Sequence, residues 1–462
     1  MIKKFNIKKL ILLIIIFFTF FYLFTYLVIG NDKFGNLKTF LNKDQKQLIK
    51  RYIFPHKLIS IQEDRIHQLE GQLKLVDWSV IELNKKEEGS EIKTEESFIK
   101  LSNNKTLKKY KLTSGFYSGI QKDFPGSGYI DFYENNVFIL SARGVLAFRK
   151  NLENNKENFK QIRNNINDFT DIKNFKKFKD ISLKDMLIFN KNIYVSYIDE
   201  IKEDCWNVSV IYGEINYEKI SFKKLFAPKN CIHSKDNLDK EFTASQTGGR
   251  MISFDDNQIL LTTGEFRSRY LAQDNQSVNG KVIKININTK EYEIISMGHR
   301  NQQGLYFDKE NNFILASEHG PQGGDEINLI EVNKIDEDKI QNFGWPIASE
   351  GDHYGGKVER NKKKYEKYPL PSSHSKHGFI EPLYSFTPSI GISELVKIAQ
   401  NSYVVSSLKG KSLYFFELNE QKQITNLEIV EVFERVRDLR FNDNQLILFM
   451  EDTASIGVIK LN

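Results

Sequence analysis

The sequence predicts an all-β, six-bladed β-propeller, preceded by an N-terminal transmembrane helix and a short helical stalk. Three observations carry that expectation. An uncharged apolar run lies near the N-terminus, the texture changes from helical and polar to β near residue 113, and a turn-plus-strand unit recurs from there to the C-terminus. The domains read as 1–30, a transmembrane signal anchor; 31–112, a helical stalk and linker; and 113–462, the propeller.

The anchor comes first in the chain. Lys3, Lys4, Lys8 and Lys9 precede an uncharged run from Leu10 to Ile29. A helix of about 20 residues at ~1.5 Å rise spans roughly 30 Å, the hydrocarbon thickness of a bilayer. A cleaved signal peptide has a shorter core and small residues at its cleavage site. Here Tyr26, Leu27, Val28 and Ile29 run straight into Gly30-Asn31-Asp32. Basic residues on the N-terminal side place that end in the cytoplasm. The expectation is a single-pass protein of a bacterial inner membrane, held through residues 10–29, with the propeller in the periplasm.

After the anchor, Ile59, Ile66 and Leu73 fall at heptad steps with Leu69 between them. Two heptads are too few for a coiled coil. A short amphipathic stalk is the reading, with self-association through it as the minor alternative. Glu87 to Lys109 is polar and charged and reads as a linker or exposed loop.

Composition excludes some functions. The 40% hydrophobic and 27% charged residues are globular values. The formal charge is +6, and the four N-terminal lysines carry most of it. The rest of the chain is near neutral, which argues against nucleic-acid binding. Cys205 and Cys231 are the two cysteines. An exported domain permits a disulfide between them, and two unpaired thiols remain the alternative. No CxxC or Cys/His spacing points to zinc.

The recurring unit is a polar turn carrying Asn, followed by a short apolar strand. Its copies begin at Asn135-Asn136, Asn190-Lys191-Asn192, Asp256-Asn257, Asn311-Asn312, Asn401-Ser402 and Asp443-Asn444. Turn residues feeding continuous apolar runs are what hairpins with buried strands require. Intervals of roughly 40 to 90 residues suit propeller blades, each burying its faces on its neighbours. A generic β-sandwich is the alternative. The longest interval, between Asn312 and Asn401, holds an insertion, and loops leaving rigid sheets are where ligand chemistry usually sits.

Near that insertion are three motifs. Gly298-His299-Arg300-Asn301-Gln302-Gln303-Gly304-Leu305 leads into a strand. Glu318-His319-Gly320-Pro321-Gln322-Gly323-Gly324-Asp325-Glu326-Ile327-Asn328 and Asn342-Phe343-Gly344-Trp345-Pro346 follow. By composition these loops suit an anionic ligand, or a calcium ion held by carboxylate and backbone oxygens. Alone they would be weak evidence, because Gly-rich acidic loops are commonly just turns.

Together, and in this order, they closely resemble the signature of the pyrroloquinoline quinone (PQQ)-dependent glucose/sorbosone dehydrogenase family, including the aldose sugar dehydrogenases. The resemblance extends more loosely over about 113–462. It implies a six-bladed propeller carrying PQQ and calcium on one face. Arg300 and Asn301 match residues that hold PQQ. Backbone oxygens at Gly320 and Pro321 match those facing the quinone-bound calcium, and Glu326 and Phe343 match positions of a second calcium. Lys409 matches a quinone-contacting lysine, and Arg435 and Arg437 match an arginine pair. PQQ carries three carboxylates, so burying it requires cations, best with bidentate capacity. A lone Lys or Arg is usually a solvated surface charge; four matches at once argue otherwise.

Two departures bear on function. Aligned on Gly248-Gly249-Arg250, Gln246 occupies the position of the family's catalytic histidine, and an amide cannot accept a proton near neutrality. His233 is the nearest upstream histidine and is too far along the chain to stand in readily. The family's Q-G-G-L-L-D-V segment has its counterpart in Asp180-Ile181-Ser182-Leu183-Lys184-Asp185-Met186, so Asp180 replaces a glutamine that touches PQQ. The leading expectation is a membrane-anchored, periplasmic oxidoreductase using PQQ and calcium on an aldose sugar or related alcohol. The alternative is a catalytically weakened or inactive propeller that binds a sugar, a quinone or an envelope partner. A structural envelope protein organised through the stalk is the third reading.

Overall fold

In a computed structural model of the chain, six mainly antiparallel sheets are arranged in a ring. The structure describes residues 91–102, 104–112, 126–152, 157–178, 180–335 and 339–461, with Phe17–Phe20 and Ile66. Most of the predicted anchor and stalk lies outside the described residues. Among those described, no helix is long and apolar enough to cross a membrane. The propeller lies within the compact unit Gly71–Asn462.

Each blade begins on an inner strand: Gly128–Tyr133, Leu183–Phe189, Gly248–Asp255, Gln302–Asp308, Ile392–Ala399 and Val436–Asn442, for blades one to six. Each inner strand packs on the next, and the sixth packs on the first, so the ring is closed. Second strands begin at Asn136, Asn192, Gln258, Phe313, Ser402 and Gln445. The Asn-bearing turns therefore occupy one equivalent place, the inner hairpin of every blade. Their chemistry suits it. Asn190 and Lys191 have φ of 49° and 60°, and Asp443 and Asn444 have 47° and 59°. Two successive left-handed residues make the turn whose twist matches the strands.

Apolar strands bury their faces between blades. Six large hydrophobic clusters lie among the described residues, one at each blade interface. Ile130 and Ile139 of blade one meet Phe449 and Ile456 of blade six in one of them. Each such side chain contributes roughly 1.5–3 kcal/mol by leaving water.

One sequence boundary is corrected. Thr94–Lys100 and Thr106–Leu112, read as linker, are the outer strands of blade six, and Leu107–Lys111 pairs with Ser455–Ile459 of the C-terminal strand. Glu91–Ile92 edges blade one. N-terminal strands thus complete the last blade, so the two ends of the domain fasten the ring. The insertion occupies residues 332–383 of blade four, between its third and fourth strands.

Cys205 and Cys231 form a disulfide, with Cα atoms 5.2 Å apart across 26 residues. In the chain-entropy picture a loop of that size is worth ~3 kcal/mol. Replacing both cysteines by serine is expected to lower the urea midpoint accordingly. An unchanged midpoint would show that the bond constrains nothing the unfolded chain would otherwise sample.

A buried charge network fills the propeller axis. Arg250 Nη1 lies 2.9 Å from Asp185, 2.9 Å from Asp438 and 3.1 Å from Glu394. Arg440 Nη1 lies 2.8 Å from Asp438 and 3.3 Å from Glu394. The acids also reach across blades to backbone amides. Asp438 accepts from Ile130 N at 2.7 Å, Asp131 from Ile188 N at 2.5 Å, Asp185 from Met251 N at 2.7 Å and Glu394 from Leu305 N at 3.1 Å.

Burial pushes Asp131 up to about 6, against the pull of Arg440. A carboxyl whose folded pKa lies above its unfolded value of 3.8 binds protons better when folded. Its contribution is therefore fully present at low pH and is lost as pH rises through about 6. Measured by denaturant titration, the stability of wild type relative to Asp131→Asn is expected to fall between pH 4 and 7. A pH-independent difference would contradict the burial argument.

Candidate active site

Irregularities in the inner strands build the site. In blades two to six, the inner strand carries a register shift near its start: between Leu183 and Asp185, Gly248 and Met251, Gln302 and Gly304, Ile392 and Leu395, and Val436 and Asp438. An extra residue in one strand re-aims its side chain. The residues at these shifts include Lys184, Arg250, Gln303, Glu394 and Arg437. Arg250 and Glu394 enter the axial network, while Lys184, Gln303 and Arg437 line a cavity above it. Gly248 and Gly249 permit the sharpest shift, with φ of 62° and 110°. A Cβ on Gly249 would fall 2.3 Å from Lys184 Cβ, so glycine is required for the two strands to approach.

The cavity, about 150 Å³, is lined by Lys184, Ser245, Gln246, Arg300, Asn301, Gln303, His319, Tyr354, Leu408, Arg435 and Arg437. It brings together five residues singled out from sequence: Gln246, Arg300, Asn301, Arg435 and Arg437. Lys409 is exposed and does not line it, although its neighbour Leu408 does. Asp180 is buried but also stays out of the lining; Lys184, four residues on, enters instead.

Gln246 is held on both sides. In the amide orientation that satisfies both neighbours, its Nε2 donates to Glu265 Oε1 at 2.7 Å and its Oε1 accepts from Arg300 Nη2 at 2.7 Å. Burial raises Glu265 to about 7, despite Arg269 and Arg300. Arg300 Nη1 donates to the His319 carbonyl at 2.8 Å, and its guanidinium lies 5.5 Å from the Trp345 ring centre and 5.9 Å from that of Tyr354. The insertion thus supplies two walls of the arginine's slot. Asn301 Oδ1 accepts from Gly248 N at 3.1 Å and Gln303 Nε2 at 3.0 Å.

The arginine pair shares one carboxylate. Arg435 Nε and Arg437 Nε donate to the two oxygens of Glu451, at 2.6 and 2.9 Å. Burial works against the charge on Glu451, but Arg437 and Arg435 hold it down at about 2. Arg437 Nη1 also donates to Gln303 Oε1 at 3.1 Å. Glu451, Glu265 and Lys184 were not candidates from sequence, since each acts on residues of other segments.

The four residues matched to calcium positions lie in adjoining loops. Gly320 N donates to Asp325 Oδ1 at 3.3 Å, and the Pro321 carbonyl accepts from Ser389 Oγ at 3.4 Å. Buried Glu326 and Glu318 are bridged by Asn328 Nδ2, at 3.4 Å to each. Glu318 meets His299 Nδ1 at 2.9 Å, and Phe343 stacks on that imidazole at 4.8 Å. Asn328 Oδ1 is buried without a hydrogen-bond partner. Among the described residues, no group of three or more His, Cys, Asp or Glu side chains is placed to hold a metal.

A family-wide profile described as glucose/sorbosone dehydrogenase matches residues 155–460, most of the chain. The chain belongs to the glucose/sorbosone dehydrogenase family. The aldose sugar dehydrogenase YliI of Escherichia coli is 24% identical over 297 residues, covering 59% of this chain and 73% of that protein. An uncharacterized Synechocystis protein is 26% identical over 244 residues, and the chain spans only 55% of its length. Among solved structures, the apo aldose sugar dehydrogenase of Escherichia coli superposes with a TM-score of 0.57 at 21% identity, covering 72% of this chain and 95% of that one. The PQQ-bound aldose sugar dehydrogenase of Streptomyces coelicolor gives 0.53 at 16% identity, covering 73% and 99%. These likenesses establish the propeller as the family's fold.

Proposed function

We propose that this glucose/sorbosone dehydrogenase family member is a membrane-anchored, periplasmic quinoprotein that oxidises an aldose sugar or related alcohol with PQQ. The observation that carries the reading is the convergence of Arg300, Arg435 and Arg437 on one cavity with Asn301 and Gln246. Three guanidiniums, with Glu451 cancelling one charge, are the donor set a buried tricarboxylate needs. Bound there, PQQ would supply the hydride acceptor. Around it, Arg300 would polarise an oxygen, Asn301 would offer its amide hydrogens, and Gln246 would orient a substrate hydroxyl. Calcium, when bound, would be held in the adjoining loops by the carbonyls of Gly320, Pro321 and Phe343 and the carboxylate of Glu326; the buried, unpartnered Asn328 oxygen is a further donor of the type a hard cation takes.

The test is reconstitution of the full chain, in detergent, with PQQ and calcium, followed by aldose-dependent dye reduction. A PQQ-dependent signal is expected, together with a lower thermal midpoint after chelation, because a ligand bound only by the folded state stabilises it. PQQ binding without turnover would favour the second reading, a binding propeller. That reading draws on one observation: Gln246 is locked between Glu265 and Arg300 where a base would be needed.

A further inference from the structure

Lys184 is a cationic cavity residue that the family resemblance does not assign. In the family segment its counterpart is the second leucine, an apolar residue. Here the strand shift between Leu183 and Asp185 turns it toward the axis, as the equivalent shifts turn Gln303 and Arg437. Only 6% of its surface is exposed, and its stem lies against Gly249. Its ammonium makes no hydrogen bond or ion pair with the described residues, whereas Arg300, Arg435 and Arg437 are all engaged. A lysine at a cavity wall with no hydrogen bond or ion pair leaves its head group open to whatever enters the cavity.

The charges around it are mixed. Arg437 and Arg250 repel its proton, while Asp180 and Glu451 attract it. Arg300, Arg435 and His319 line the same cavity. Burial is the largest influence, followed by Arg437, and together they bring Lys184 down to about 7. The free cavity therefore carries this lysine partly neutral at physiological pH. A polyanion entering the cavity would reverse the balance.

We propose that Lys184 is the fourth cofactor-holding cation of this cavity, in the place expected of Lys409, and that it takes up a proton from solvent when a tricarboxylate binds. The inference rests on the proposed PQQ site but names a residue and a linkage that the site does not require. Physically, a carboxylate beside Nζ favours the charged amine, so the bound pKa rises and one proton moves from water to Nζ. Affinity then strengthens as pH falls through the range in which the free lysine is neutral. Glu265, also near 7, and His319, which burial brings down to about 4, are the other groups able to take up a proton here, so both must be separated in any test.

The experiment is isothermal titration of the full chain, in detergent with calcium, with PQQ and separately with benzene-1,3,5-tricarboxylate. Each titration is repeated in three buffers of different ionisation enthalpy, at pH 6 and pH 8. Wild type is expected to take up close to one proton at pH 8 and about one tenth of that at pH 6. Lys184→Met should weaken PQQ about 10- to 100-fold, the scale of a hydrogen bond to a charged group, and abolish the uptake. Lys184→Arg, always charged, should keep most of the affinity without the uptake, and it stands in if the methionine variant fails to fold. Uptake that persists in Lys184→Met, or that disappears in Glu265→Gln, His319→Gln or Lys409→Met instead, would overturn the proposal. PQQ that binds with no uptake at pH 8 would do so as well, leaving the cofactor reading intact. Tricarboxylate binding with uptake but no PQQ binding would sink the cofactor reading and keep the lysine; no binding of either would sink both.

Discussion

Gln246→His is expected to raise aldose-dependent dye reduction by roughly 100-fold or more, the usual scale of a general base. The surroundings of Gln246 explain why one substitution should suffice. Glu265 already lies 2.7 Å from the amide nitrogen and would take the N–H of an imidazole, fixing the tautomer. The other ring nitrogen would then be free to accept the hydroxyl proton of the substrate. Glu265 favours the charged imidazole and Arg300 disfavours it, so the two largely offset and leave the base poised near neutrality. Cofactor affinity should change little. A wild type that is already fast would mean another base is at work and would contradict the placement of the catalytic position.

Arg250→Met should destabilise the domain by about 3–5 kcal/mol, because removing one partner of a buried ion network leaves three acids with Arg440 as their remaining counter-charge. Burial opposes the charge on Arg250, yet Glu394, Asp438 and Asp185 together outweigh it. Those carboxyls come from blades five, six and two, and each also holds a backbone amide on the inner strand of a neighbouring blade. Loss of Arg250 would therefore act on several blade interfaces at once. Urea unfolding at pH 7 is the measurement, and a change below about 1 kcal/mol would show that the acids are simply protonated instead. Lower pH should partly rescue the variant, since burial has already pushed Asp185 up to about 7.

Much of the fold was legible because the signal was local. Each inner hairpin writes its own turn chemistry beside its own apolar strand, so six copies could be counted without knowing how they meet. The closure was not legible. Thr94–Lys100 is an outermost strand whose side chains are largely exposed, so its charges read as linker. Its neighbour pairs with residues at the far end of the chain, a partner that no local pattern can announce.

The site divides in the same way. Arg300, Asn301 and Gln246 sit in contiguous motifs and were found. Glu451 was missed because it gains meaning only by sharing Arg435 and Arg437, and Lys184 because a one-residue shift in strand register decides which way it points. Lys409 shows the converse: its motif matches, but its side chain is exposed. The disulfide was an open alternative until the strand pairing of Cys205 with His233 brought Cys231 alongside.

The most direct measurement is a crystal structure of the chain soaked with PQQ and calcium. The expected result is cofactor density in the cavity of Gln246, Arg300 and Arg437, with its carboxylates on the guanidiniums and on Lys184. Clear density for the protein with that cavity empty at saturating PQQ, or cofactor bound elsewhere on the propeller, would contradict it.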